Sequence, residues 1–117
     1  MKLKLCFIST LILCACAHSQ SDNAGFDMSP SELANKMHSA SLGNAEDACA
    51  VSEYYTFIKY DNNEAIKWMR IAAVAGMPMA KHNLGVMLSA SESEADKKES
   101  QKWLDEAAKE GVTAPTK

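Results

Sequence analysis

A segment of this chain returns 35 residues later. Glu64, Lys67, Trp68, Ala72, Ala73 and Gly76 reappear as Glu99, Lys102, Trp103, Ala107, Ala108 and Gly111, and Asp61 reappears as Asp96. A period of this length marks a helix-turn-helix unit that cannot bury its apolar face alone and must stack on a copy of itself. Arrays of such units offer extended surfaces to partners, so the repeat constrains the class of function before any single residue is considered.

Capping and periodicity place the helices. Ser29-Pro30-Ser31-Glu32 supplies a hydroxyl cap, a proline at the first helical position and a reciprocating glutamate, and Gly43 is a natural stop. This predicts a helix over 29–41 with a narrow apolar stripe of Leu33, Ala34, Met37 and Ala40. A second helix is expected over about 44–58, and Asp61-Asn62-Asn63-Glu64 then offers another capping box. Helix 64–75 is apolar nearly all round, which calls for cover on more than one side. Gly76, Met77 and Pro78 turn the chain into helix 78–90, with Ala80, Leu84, Met87 and Leu88 on one stripe. The last helix, 95–110, keeps Trp103, Leu104, Ala107 and Ala108 on one face and charge on the other, as a terminal repeat must.

Small residues explain how such helices stack. Ala72-Ala73, Ala107-Ala108 and Gly85 present little bulk and allow axes to approach toward the short end of roughly 8–10 Å. Trp68 and Trp103 fill the space beside those contacts, each able to bury roughly 150–250 Å².

The 117 residues hold one small domain, and the start of the chain does not belong to it. Lys2 and Lys4 precede an apolar run from Leu5 to Cys14, too short for a bilayer span of roughly 20 residues but laid out as an export signal. Leu13-Cys14-Ala15-Cys16 resembles the lipobox of bacterial lipoproteins, with Cys16 as the lipidated residue; ordinary cleavage after Ala17 is the alternative. That resemblance implies two kinds of acyl group on Cys16 and stable anchoring. With Ala17 rather than Asp after the cysteine, it implies the periplasmic face of the outer membrane. The expected layout is therefore a signal over 1–16, a flexible tether over 17–28, a helical domain over 29–111 and a tail over 112–117.

Charge and titratable groups exclude much. Loss of Lys2 and Lys4 leaves 10 basic against 15 acidic residues, a net −5, with no basic cluster for a phosphate backbone, so no nucleic-acid partner is expected. Cys6 and Cys14 leave with the signal and Cys16 takes lipid, so Cys49, set among Ala48, Ala50 and Val51, is read as a small buried hydrophobe. His18, His38 and His82 are isolated from one another, and no zinc spacing, phosphate loop or serine elbow occurs. Glu92, Glu94, Asp96 and Glu99 read as a solvated acidic loop and cap, with a cation or basic-partner site as the sharper alternative. No catalytic residue, metal or cofactor is assigned.

The repeat resembles the Sel1-like family, an α/α solenoid related to the tetratricopeptide repeat. Ala80-x-x-x-Leu84-Gly85-x-x-Leu88 matches the first half of its pattern, and Asp96 with Lys102-Trp103-Leu104-x-x-Ala107-Ala108-x-x-Gly111 matches the second. The resemblance covers about 43–111 and implies an all-α fold: a short α/α solenoid of about two helix-turn-helix repeats plus one N-terminal helix. The family's Gly-x-Gly-Val loop is missing from both copies. The first half of the first copy fits in two registers, one on Ala45, Cys49 and Ala50, the other on Val51, Ser52 and Tyr55. Helix 29–41 fits the remnant of a still earlier repeat.

The same resemblance implies a membrane-anchored protein–protein interaction module, an adaptor or scaffold of the bacterial envelope with an unknown protein or peptide partner. An immunity protein for a periplasmic toxin and a purely structural envelope lipoprotein are the alternatives. Secreted Sel1-like proteins with β-lactam-hydrolysing activity are stapled by disulfides, so a domain with one thiol is read as no enzyme. Candidate partner-binding residues are the aromatics around the altered loop, Tyr54, Tyr55, Phe57 and Tyr60, together with Met77 and Met79 beside Pro78. For the aromatics, covering the open end of the array is the competing role; for the methionines it is core filling.

Overall fold

The computed structural model describes residues 25–113. Over these residues every regular element is a helix: α1 (Pro30–Ser41), α2 (Ala45–Phe57), α3 (Asn62–Val74), α4 (Pro78–Ser89) and α5 (Glu94–Lys109). The expected export signal, Cys16, the expected tether up to residue 24 and residues 114–117 of the expected tail lie outside the described residues.

Local chemistry sets the helix starts. Ser29 and Glu32 form the reciprocal capping box at α1, with the Ser29 N–H donating to Glu32 Oε2 at 2.9 Å. Asn44 caps α2 and Asp61 caps α3 through their side-chain oxygens. The second half of the expected box at α3 is not made, because Glu64 turns away from the cap to accept from Trp68 Nε1 at 3.1 Å. At α5 the cap is Ser93, and Asp96, the sequence counterpart of Asp61, stands at the third helical position. Helix α5 thus begins about one turn earlier than α3 relative to its tryptophan.

Three helices end in one way. Gly43, Gly76 and Gly111 hold φ of +100°, +102° and +87°, a region that costs other residues roughly 1–2 kcal/mol. Each glycine N–H donates three residues back, to Ala40, Ala73 or Ala108, and the following N–H reaches Ser39, Ala72 or Ala107 at 2.9–3.3 Å. The Ala-Ala-x-x-Gly signature is therefore a helix-ending motif, and Ser39-Ala40-x-x-Gly43 is its third copy. Helix α1 closes as the second helix of a repeat closes. The glycines cut the chain into units 44–76 and 77–111, of 33 and 35 residues.

Packing follows chain order. Helices α2 and α3 form one hairpin, α4 and α5 the next, α3 joins them, and α1 lies on α2 and touches α3. The core is made of small residues around two indoles: Ala48, Ala72, Ala73, Ala80 and Ala107 are sealed, and Trp68 and Trp103 are almost so. Helices α4 and α5 come close at Gly85, where a Cβ would lie 2.6 Å from Leu104 Cγ and 3.1 Å from the Ser100 carbonyl. Val51 and Ser52 are fully buried, as Leu84 and Gly85 are, which selects the second of the two registers for the first repeat.

The structure is accordingly an all-α stack of two helix hairpins preceded by one helix. Two edges differ from expectation. Val74 on α3 is exposed although its helix is apolar on most sides. Phe26, in the segment read as a tether, stacks on Phe57 with ring centroids 4.5 Å apart, so the last residues before α1 lie against the domain.

Candidate partner-binding site

Among the described residues, open grooves lie on two faces of the stack. One runs between α2 and α4 and holds about 330 Å³; Met69 of α3 forms its floor, with Phe57 and Thr56 on one wall and Val86 and Met87 on the other. The second, about 520 Å³, lies between α1 and α3, lined by Ala40 and Ser41 on one side and Lys67, Arg70, Ile71 and Val74 on the other. Both arise from the same cause. Repeat helices of the same kind are spaced by the helices between them, so side chains of modest size do not meet across the gap.

The residues expected to meet a partner separate into two groups. Tyr54 is buried and meets Tyr55 edge-on at 5.6 Å, and Tyr55 is partly buried and packs against the core, so both rings are largely drawn in against the domain. The reason is register: with Val51 and Ser52 pointing inward, the following turn carries Tyr54 and Tyr55 to the same side. Met77 caps α4 and is partly covered by the core. Phe57, Tyr60 and Met79 remain at the surface, with Tyr60 76% exposed and in left-handed backbone at φ +54°. Phe57 lines the α2/α4 groove; Tyr60 and Met79 do not. The six residues do not form one patch.

Sequence reasoning missed the opposite wall. Val86, His82 and Asn83 line the α2/α4 groove from α4, and Val86 is 51% exposed. The available signal was position: Val86 lies off the stripe of Ala80, Leu84 and Leu88, an apolar residue on the face that the core does not need.

The repeat residues build a second constellation. In each unit an indole N–H donates to the glutamate four residues before it, Trp68 to Glu64 and Trp103 to Glu99, both at 3.1 Å. A lysine sits over each ring, Lys67 at 5.3 Å and Lys102 at 5.1 Å from the centroid. Glu99 also receives a two-pronged ion pair from Arg70, 3.0 Å from Nε and 3.2 Å from the terminal nitrogen, which ties α3 to α5. The Arg70 guanidinium holds the Glu99 carboxyl below its usual range, burial opposes this, and the Trp103 N–H adds to the lowering.

Other titratable groups are tied into the scaffold. Lys81, only 12% exposed, bridges Glu110 at 2.8 Å and Glu106 at 3.7 Å, and Glu110 is the main cause of its raised pKa. Of the acidic loop, Asp96 accepts from Ser91 Oγ and Glu94 pairs with Lys97. Burial, with help from the Glu53 carboxylate, pushes the Cys49 thiol up to about 11. Among the described residues no three His, Cys, Asp or Glu side chains converge where a metal ion could be held, and no helix is long and apolar enough to cross a membrane.

Family models, curated proteins and solved structures were all compared with this chain, and none of the three comparisons gave a match.

Proposed function

We propose that this chain is a Sel1-like, lipid-anchored interaction module of a bacterial envelope, and that a peptide or helix of a partner protein lies in the groove between α2 and α4. The observation that carries the reading is that groove: facing helices of successive repeats present Phe57 on one wall and Val86 and Met87 on the other, across the apolar floor of Met69. An extended or helical segment fits such a channel, with apolar side chains supplying affinity and the rim residues Glu53, Thr56 and Asn83 supplying orientation. The reading assigns no catalytic step and no cofactor. Anchoring through Cys16 would hold the module at the periplasmic face of the outer membrane.

A photo-crosslinking side chain placed at Val86 tests the groove in cells, with the same group at Lys102 on the outer face of α5 as the control. A discrete adduct at Val86 that is lost on Phe57→Asp supports the reading. Equal capture at both positions, or none at Val86, overturns it. Accumulation of precursor under globomycin tests the anchor separately.

A further inference from the structure

The two glutamate–tryptophan pairs are built alike but not completed alike. Glu64 stands twelve residues before Gly76, and Glu99 twelve before Gly111. Each carboxylate accepts from its indole at 3.1 Å, and the two side chains are equally accessible, 35% and 33%. Glu99 is finished by a guanidinium from the preceding second helix: Arg70, six residues before Gly76. The same position before Gly43 is Met37, which has no charge to give. Glu64 is left with Lys67 from its own helix, at 3.4 Å from both oxygens, whereas Glu99 has no such contact with Lys102. A lysine held at the long limit, and shared with an indole face, is a poor substitute for a planar fork.

We infer that Glu64 and Trp68 form a receptor for an arginine side chain of a partner protein, since the repeat position that Arg70 fills for Glu99 is held in the preceding helix by Met37. The partner's guanidinium would take the place that Arg70 takes on Glu99. The α3 side of the groove between α1 and α3 is lined by Lys67, Arg70, Ile71 and Val74, with the Arg70 guanidinium drawn off to Glu99, so apolar residues flanking the arginine have Ile71 and Val74 to cover. Val74 is 70% exposed there. A second copy of the chain cannot supply the group, because Arg70 is its single arginine and is already bound to Glu99. A net charge of −3 favours a basic segment from elsewhere.

This site lies on a different face from the α2/α4 groove, and its test is independent of the crosslinking at Val86. The purified protein is titrated with N-acetyl-arginine amide and, in parallel, with N-acetyl-lysine amide, and the two indole N–H resonances are followed. The expected result is a saturating shift of the Trp68 signal with the arginine compound, several-fold weaker with the lysine compound, while Trp103 stays still. Glu64→Gln should abolish the shift. Met37→Arg should also abolish it, by filling the site from within, and should raise the melting temperature more when Glu64 is present than in a Glu64→Gln background. No selective shift of Trp68 in the wild-type protein overturns the inference, as does a shift that survives in folded Glu64→Gln or Met37→Arg.

Discussion

Ser52 and Ser100 make the same hydrogen bond from opposite sides of their hairpins. Ser52 Oγ on α2 donates to the Ala65 carbonyl on α3, and Ser100 Oγ on α5 donates to the Gly85 carbonyl on α4, both at 2.6 Å and both buried. Ser52 corresponds to Gly85 and Ala65 to Ser100, so the two repeats keep one contact while exchanging the helix that supplies the hydroxyl. Small residues on both sides let the backbones come close enough for a short side chain to reach across.

Removing either hydroxyl should therefore cost about the same. Ser52→Ala and Ser100→Ala are each expected to lose about 1 kcal/mol, the net worth of one buried hydrogen bond, in urea denaturation. The two bonds sit in different hairpins, so the double variant should lose close to the sum. A loss under about 0.3 kcal/mol for both would mean that the hydroxyls are dispensable to the hairpins.

Gly85→Ala should destabilise the second hairpin despite the better helix propensity of alanine. Propensity returns about 1 kcal/mol, but a Cβ 2.6 Å from Leu104 Cγ forces overpacking that costs roughly 1–3 kcal/mol. Leu104→Ala alone opens space, and the pair should be coupled: Gly85→Ala is expected to be nearly harmless, or stabilising, in the Leu104→Ala background. Strict additivity in the double-mutant cycle would locate the strain elsewhere.

The Cys49 thiol should resist alkylation in the folded protein at neutral pH and react only on unfolding. Its folded pKa of about 11 lies above the ordinary value of 9.0, chiefly because burial disfavours the thiolate. A raised pKa gives stability that is complete below pH 9 and is lost as pH climbs through 11. Lys81 also titrates with a raised pKa, so the useful measurement is the difference between wild type and Cys49→Ala. That difference should change between pH 9 and 11 and stay flat below.

Deleting residues 18–42 should lower the melting temperature by several degrees or more. Helix α1 buries Ala40, lays Leu33 and Met37 on the core and pairs Lys36 with Asp47 at 2.9 Å. It also covers part of α3, whose apolar sides need a neighbour. An unchanged thermal melt would show that the two hairpins stand without it.

Much of this architecture was legible in the chain. The glycine-terminated Ala-Ala pairs are sharp because they encode backbone geometry at a helix end, and that geometry tolerates few residues. Helix boundaries came within a few residues for the same reason: caps and stops are local. The register of the first repeat was not legible. Its first helix is displaced by 33 residues from α4 and its second by 35 from α5, because α5 begins about one turn early at Ser93, and a single repeat length cannot align both. The candidate surface suffered directly. Tyr54 and Tyr55 look like Phe57 and Tyr60 in sequence, and only the register decides that the first pair turns inward. Val86 carries one mark in the sequence, its place off the core stripe, and that mark does not say what lies opposite it. Glu64 and Glu99 are legible as repeat, cap and acidic-loop residues and not as a contrasting pair, since the arginine that distinguishes them comes from another helix.

The glycine seams carry a consequence for how such a chain can change in length. Each closes its helix through the glycine N–H and the N–H that follows it, so any residue other than proline placed after the glycine completes the same two bonds. A stretch bounded by two of these seams, such as 44–76, is a self-contained cassette. Duplicating or excising it in frame would join one finished end to the next ordinary start, lengthening or shortening the stack while leaving every other turn intact.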